Sequence, residues 1–187
     1  DPDVILVGEI RDEETANISV RAAQTGHTVL STLHTNDSIS AVTRLMEMNV
    51  DPHLLSSSLV ASVAQRLAQK LCPSCRLPDS SISNPTREEI SKALNIELSD
   101  VKAYKSPGCP KCNKKGYVGR IGIYEIFIPN DELTELFEPG LKAGQLRQKS
   151  WHYGWRPIRH NAWEHIHKGN ISISELDRLT RKLQHSI

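Results

Sequence analysis

Four consecutive β-forming residues, Val4-Ile5-Leu6-Val7, are followed at once by Gly8 and Glu9. A wholly apolar run of this length, closed by a turn residue, predicts a strand buried on both faces, the central strand of a parallel sheet. From Glu13 to Thr25 the period lengthens to that of a helix, with Ile18, Ala22 and Thr25 on the face of Thr15. Asp12, Glu13 and Glu14 suit its positive N-terminal end, and Gly26 is placed to end it in the left-handed conformation. A second run, Thr28 to Leu33, again lacks polar alternation and predicts a second strand. Strand, helix, strand at this spacing is a βαβ unit, so its strands are parallel and the crossover right-handed. Glu9 and His34 then leave the sheet at the same edge.

Ser38 to Asn49 predicts a helix with Ile39, Val42, Leu45 and Met46 on one side, stopped by Asn49 and the Asp51-Pro52 turn. Beyond Pro52, Leu55, Leu59, Val63 and the 64–67 region predict another helix, leading into a short strand over 67–71. Thr86 and Glu89 form a capping-box pattern for a helix that buries Ile90, Ala93, Leu94 and Leu98. Ile121 to Ile128 predicts a strand ended by Pro129, followed by helices over 131–137 and 142–150. Pro157 suits the first turn of a helix running to His167 and stopped by Gly169. Ser174 is the expected cap of the last helix, with Leu176, Leu179 and Leu183 on its inner face. Trp151, Trp155 and Trp163 are expected in the core of this helical tail.

The 187 residues suffice for one ordinary domain or two small ones. With 23 basic and 22 acidic residues, bulk charge points to neither nucleic acid nor an anionic membrane. No apolar run approaches the roughly 18–20 residues that cross a bilayer. The N-terminus lacks the basic start and long apolar run of a signal peptide. A soluble, cytosolic protein with only peripheral membrane contact is expected. The chain enters a strand within three residues of Asp1 and has no starting methionine, so it is expected to be a fragment of something longer.

Candidate chemistry lies at two places. In parallel sheets ligands bind beyond the carboxyl ends of the strands. Gly8 lets backbone approach a ligand closely, and Glu9 puts a charge at the strand's exit. Glu9 could orient an attacking water or hold Mg²⁺ through water, and His34 could sense a terminal phosphate. The plainer alternatives are a surface carboxylate after a core strand and a histidine that fixes the Thr35-Asn36-Asp37 turn. The second place is the pair of knuckles Cys72-Pro73-Ser74-Cys75 and Cys109-Pro110-Lys111-Cys112, which hold all four cysteines. Two such pairs complete a closed tetrahedral shell, the arrangement of structural zinc. The 33 residues between them (76–108) exceed the ~15–20 of a typical zinc ribbon, so a subdomain must be looped out. Disulfides sit poorly with a cytosolic protein, and a redox motif would need one pair rather than two. Rubredoxin-like iron is the other rival, and zinc is preferred. Lys111, Lys114, Lys115 and Arg120 surround the second knuckle, as a patch for acidic lipid or protein or as a solvated loop.

The wording of several stretches narrows these readings. Asp1-Pro2-Asp3-Val4-Ile5-Leu6-Val7-Gly8-Glu9-Ile10-Arg11-Asp12 resembles the Walker B segment of the type II/type IV secretion ATPases, the hexameric motors of general secretion and type IV pilus assembly. In that family glycine replaces the usual Walker B aspartate and the next glutamate carries the catalysis; Gly8 and Glu9 match. Thr25-Gly26-His27-Thr28-Val29-Leu30-Ser31-Thr32-Leu33-His34-Thr35-Asn36 resembles the family's histidine box. Ala64-Gln65-Arg66-Leu67 matches a further short motif, and Gly116 to Glu125 resembles the segment that returns from the zinc subdomain to the core. Arg159-His160-Asn161-Ala162-Trp163 departs from the glycine-rich, acidic-containing stretch usual in the family.

The resemblance implies an α/β fold: part of a RecA-like P-loop NTPase sheet, with a Cys₄ zinc subdomain and a helical C-terminal tail. It implies catalytic roles for Glu9 and His34 and nucleotide contacts from Gly8, His27 and Arg66, although Arg66 could equally pair with a local carboxylate. Cys72, Cys75, Cys109 and Cys112 become zinc ligands, an element of export and pilus-extension motors that retraction motors lack. ATP and Mg²⁺ belong to the full-length protein. No Gly-x-x-x-x-Gly-Lys-Ser/Thr occurs here, so this chain alone is expected neither to bind nor to hydrolyse ATP strongly. The expected segments are 1–71 (ATPase core), 72–115 (metal subdomain) and 116–187 (return strand and helices). The expected partners are a homo-hexamer and inner-membrane platform proteins, with the motor cytoplasmic and peripheral to the inner membrane. The alternative is a non-catalytic, zinc-stabilised module that binds protein or nucleic acid. Nucleic acid is disfavoured, because neither a basic total nor interleaved aromatics beyond Tyr117 support it.

Overall fold

β1 (Val4–Val7) and β2 (Thr28–Ser31) lie side by side as a parallel pair, with Val4 opposite Thr28 and Val7 opposite Ser31. The computed structural model describes residues 2–180. The strand expected to be buried on both faces is covered on one. Val7 packs against the core, whereas Val4 and Leu6 are 56% and 76% exposed. An apolar run permits burial on both faces, and among the described residues this chain supplies cover for one and a single partner strand, β2.

Between the strands runs α1 (Glu13–Gln24), whose N-cap Asp12 accepts the Thr15 N–H at 2.8 Å. Gly26, at φ +99°, follows its end as the sequence predicts. Its buried stripe is Ala16, Ser19 and Val20, not the Ile18-Ala22 face; Ile18 is 61% exposed. Two residues past Ala16 the helix has turned about 200°, so once Ala16 faces the core Ile18 cannot. α2 (Ser40–Glu47) buries Val42 and Leu45, with Ile39 buried just before it, and ends at left-handed Asn49. α3 (Pro52–Ser58) starts where Asp51 accepts the His53 and Leu54 N–H groups.

The chain then enters β3 (Ser62–Leu71), a ten-residue strand where a helix and a short strand were expected. Leu59 ends α3, and Val63 lies exposed in the strand. β3 pairs with β6 (Tyr117–Phe127) in a second sheet. Two compact units result: residues up to Ala64 with Glu125–Arg156, and Gln65–Tyr124 with the residues from Pro157 onward. Residues 116–187 therefore contribute to both. The first unit adds α5 (Asp131–Thr134) and α6 (Ala143–His152), and its core joins Ile39, Val42, Leu45 and Leu55 to Phe127, Leu146 and Trp155.

The second unit carries the antiparallel pair β4 (Leu77–Pro78) and β5 (Tyr104–Lys105), together with α4 (Asn84–Leu94), α7 (Ile158–His167) and α8 (Ile173–Thr180). α4 packs on α7, and α7 on α8, around Ile90, Ile158, Trp163, Ile166 and Leu176. Two caps shift from their expected places. Ser83, not Thr86, caps α4 by accepting the Thr86 N–H. Ser172, not Ser174, accepts the Glu175 N–H at the head of α8. Leu98 is exposed in a 3-10 turn, and Leu183 lies outside the described residues. Trp155 and Trp163 are buried, but Trp151 is 43% exposed, with the Arg156 guanidinium 4.1 Å over its ring. Among the described residues no helix is long and apolar enough to cross a membrane.

Candidate functional site

Parallel pairing brings the ends of β1 and β2 together, and side-chain and backbone bonds extend the pairing past both strands. The Ile10 N–H donates to the Thr32 carbonyl at 2.9 Å, and the Thr32 hydroxyl to the Gly8 carbonyl at 2.8 Å. Glu9 and His34 consequently meet, with His34 Nε2 at 3.0 Å from Glu9 Oε2. An ionised carboxylate only accepts, so Nε2 carries the proton in this pair. The other oxygen, Oε1, accepts from Arg11 Nη2 at 2.5 Å. The Arg11 bond first, and the His34 bond after it, outweigh desolvation and hold the Glu9 carboxyl below its ordinary range. Glu9 is therefore charged at neutral pH, fit to orient a water by accepting its hydrogen bond or to hold a hydrated cation.

The surroundings leave room for a ligand. A Cβ at Gly8 would meet nothing within 4 Å. Beside the pair, Ile10, Arg11, His34, Arg44 and Met48 line a cavity of about 450 Å³. Both arginines there are already paired, Arg11 with Glu9 at 2.5 Å and Arg44 with Glu47 at 3.1 Å. His27 is not brought to this place. It stands at the start of β2, where the Thr28 N–H meets the Asp3 carbonyl, at the other end of the strand from His34. Its Nδ1 lies 3.1 Å from the Ala22 carbonyl, at the C-terminal end of α1. Arg66 sits on β3 in the second unit and donates to the Gln65 carbonyl at 3.0 Å.

Sequence reasoning missed a buried polar set behind His34. Ser38 (1% exposed) donates through N–H and Oγ–H to Glu125 Oε1 (2% exposed), at 2.9 and 2.7 Å. Trp155 Nε1 donates to Ser38 Oγ at 3.0 Å, and Arg147 Nη2 to Asp37 Oδ2 at 2.6 Å. A carboxylate inside an otherwise apolar strand, Ile123-Tyr124-Glu125-Ile126-Phe127, was the available signal.

The second centre lies within the second unit. The four cysteine sulfurs all lie within 4.8 Å of one another, and no disulfide joins them. Cys72–Cys109 and Cys75–Cys112 are separated by 3.9 Å and Cys109–Cys112 by 3.8 Å. A tetrahedral shell with metal–sulfur bonds of ~2.3 Å has edges of ~3.8 Å, so the donor set fits such an ion. The N–H groups of Cys109 and Gly116 point at Cys112 Sγ, from 3.1 and 3.2 Å. The Cys109 N–H foremost, with Gly116 behind it, overcomes burial and draws the Cys112 thiol down to about 6. At Cys75 the Ser106 hydroxyl works the same way, but burial and the three other thiols prevail and push it up to about 11. Lys111, Lys114, Lys115 and Arg120 are exposed around the second knuckle.

A polar pair at the exits of parallel strands, together with four thiols spaced to hold one metal ion, defines an α/β protein with two candidate sites. The sequence pattern of one family, described as type II/IV secretion system protein, matches residues 1–178, and the chain belongs to that family. It is 43% identical over 183 residues to type II secretion system ATPase E of Vibrio cholerae, covering 97% of this chain and 35% of that protein. It is 40% identical over 176 residues to the type IV pilus assembly ATPase PilB of Myxococcus xanthus, covering 94% of this chain and 31% of that one. The chain thus spans about a third of the length of these relatives. A crystal structure of the pilus retraction motor PilT with bound ADP shares its fold, with a TM-score of 0.62 at 24% identity, over 99% of this chain and 42% of that one.

Proposed function

We propose that this chain is the C-terminal part of a hexameric ATPase that powers type II protein secretion or type IV pilus assembly. The observation that carries the reading is the contact of Glu9 with His34, 3.0 Å apart across adjoining strand exits. In this reading the strands belong to a RecA-like P-loop core, and Gly8-Glu9 is its Walker B exit. Glu9 positions the attacking water or the Mg²⁺ hydration shell, and His34 donates to the γ-phosphate of ATP. Gly8 gives the nucleotide its clearance, and Arg66 reaches nucleotide or a neighbouring subunit in the assembled enzyme. His27, 3.1 Å from a terminal carbonyl of α1, closes that helix instead. The four thiolates hold one structural zinc, which supplies a closed cross-link rather than chemistry.

The motor works at the cytoplasmic face of the inner membrane on platform proteins. With no phosphate-cradling loop in its 187 residues, the chain by itself is inactive. The test is Glu9→Gln in the intact ATPase. Nucleotide binding is retained and turnover falls by about 10²–10⁴-fold, the worth of a positioned acid–base group. Near-normal turnover would exclude Glu9 as the catalytic carboxylate.

A further inference from the structure

We propose that Glu125, Arg147 and Trp155 are positioning residues for His34, so that the 125–156 segment is coupled to the Glu9–His34 pair. All of them lie in the same unit as that pair. His34 stands three residues before Asp37 and four before Ser38, and both of those residues are clamped. Asp37 Oδ1 accepts the Ser40 N–H at 2.8 Å and Oδ2 the Ser40 hydroxyl at 2.9 Å, which ties the loop to the head of α2. Arg147, on α6, adds its guanidinium to both: 2.6 Å to Asp37 Oδ2 and 3.1 Å to Ser40 Oγ. Ser38 is held from below by Glu125 and from the side by Trp155, all three buried. The Thr35 hydroxyl donates to the Asp37 carbonyl at 3.2 Å, carrying the constraint back toward His34.

The chemistry of the clamp argues for position over stability. A carboxylate 2% exposed is costly to desolvate, and an apolar residue of its size would pack as well. What an apolar residue cannot do is fix where Ser38 N–H and Oγ–H point. Side chains 87 to 117 residues away in sequence converge on Asp37, Ser38 and Ser40, just beyond a loop whose other end carries an exposed imidazole. Displacing that imidazole by 1 Å breaks its contact with Glu9. Coupling is reciprocal, so a ligand that pulls His34 away from Glu9 also loads Arg147 and Glu125. The geometry makes 125–156 the route by which occupancy at the strand exits is felt elsewhere in this unit.

The inference rests on the ATPase reading only for its turnover readout, and the experiment separates the two. In the 187-residue chain, Glu9→Gln shifts the ¹⁵N resonances of the His34 ring, because it changes the group facing Nε2. The same substitution is made in Arg147→Ala, Arg147→Lys and Trp155→Phe backgrounds, with the His53 ring as a folding control. Arg147 is 41% exposed and phenylalanine keeps the Trp155 packing, so these variants fold even if Glu125→Gln does not. The Glu9-dependent shift of His34 falls by at least about half in Arg147→Ala and Trp155→Phe, and Arg147→Lys restores part of it. In the intact ATPase, Arg147→Ala lowers kcat about 10-fold with KM for ATP nearly unchanged, the mark of a misplaced group. An undiminished His34 shift overturns the inference whatever the turnover, as does an unchanged kcat of Arg147→Ala where Glu9→Gln itself loses turnover. A diminished shift alongside full turnover of Glu9→Gln upholds the clamp and overturns the ATPase reading.

Discussion

Glu175 shows what a single carboxylate does when the chain buries it on purpose. It is 4% exposed, and both oxygens are used: Oε1 accepts the Gln69 N–H at 2.6 Å and Arg178 Nη2 at 2.7 Å, and Oε2 accepts Arg178 Nε at 2.8 Å. Burial opposes its ionisation, but the bidentate Arg178 and the Gln69 N–H outweigh burial and hold the carboxyl below its ordinary range. A depressed folded pKa means that stability is present above the unfolded value, near 4.5, and is lost as pH falls through the folded one. Glu175→Gln should therefore cost about 2 kcal/mol at pH 7, and the two proteins should converge in acid. Urea midpoints at pH 7 and pH 3 measure this, and a gap independent of pH would contradict it. Glu9 and His34 could be placed together from sequence because each follows a strand of one βαβ unit. Glu125 and Glu175 could not, because their partners Ser38 and Gln69 are 87 and 106 residues away and no local pattern encodes such a meeting.

At the scale of elements, periodicity succeeded where it was unambiguous and failed where two periods coincide. In β3 the buried positions Ala64 and Ala68 are four apart, a spacing that satisfies a helix turn and two strand pleats alike. Leu55, Leu59 and Val63 are likewise four apart, and the helix they suggest, carried on through 64–67, hid half of a ten-residue strand. The caps of α4 and α8 each sit earlier than expected, because Ser83 and Ser172 are serines as capable as the residues chosen. The knuckles were legible because their spacing is itself the geometry. They also depend on backbone that sequence alone would not rank. Gly108 has φ +93°, and a Cβ there would lie 2.3 Å from the Lys114 carbonyl oxygen. Gly108→Ala should cost about 1–3 kcal/mol in strain and loosen metal retention by the Cys109–Cys112 knuckle, read by chelator competition. Gly144, inside α6 with open space around it, is the contrasting case. There alanine should stabilise by about 0.5–1 kcal/mol, and equal effects at both glycines would refute the distinction.

For the whole molecule, the α/β class and the family lie in the motifs, but the two-unit division does not. The chain passes between units inside β3 and β6, and β3 has no glycine, proline or serine-rich break to announce it. That division predicts how the protein comes apart. All four thiols lie in the second unit, on segments brought together across 33 intervening residues. A zinc held there stabilises whatever must fold to form its shell, by about 2.7 kcal/mol when free metal is a hundredfold above its dissociation constant. The ion makes no bond in the first unit, whose core is its own. Metal analysis of the reduced chain should find about one zinc, a closed Cys₄ site taking a single ion. Chelation should then lower the unfolding temperature of the second unit while leaving the first. His27, His34 and His53 report the first unit and His160, His165 and His167 the second, so ring resonances followed through a thermal ramp resolve the two. With chelator, the second set should reach unfolded positions at the lower temperature, and Cys72→Ser should match the chelated profile whether or not chelator is added. Simultaneous loss of both sets would mean that the units melt as one, and the metal would then be a cross-link for the entire chain.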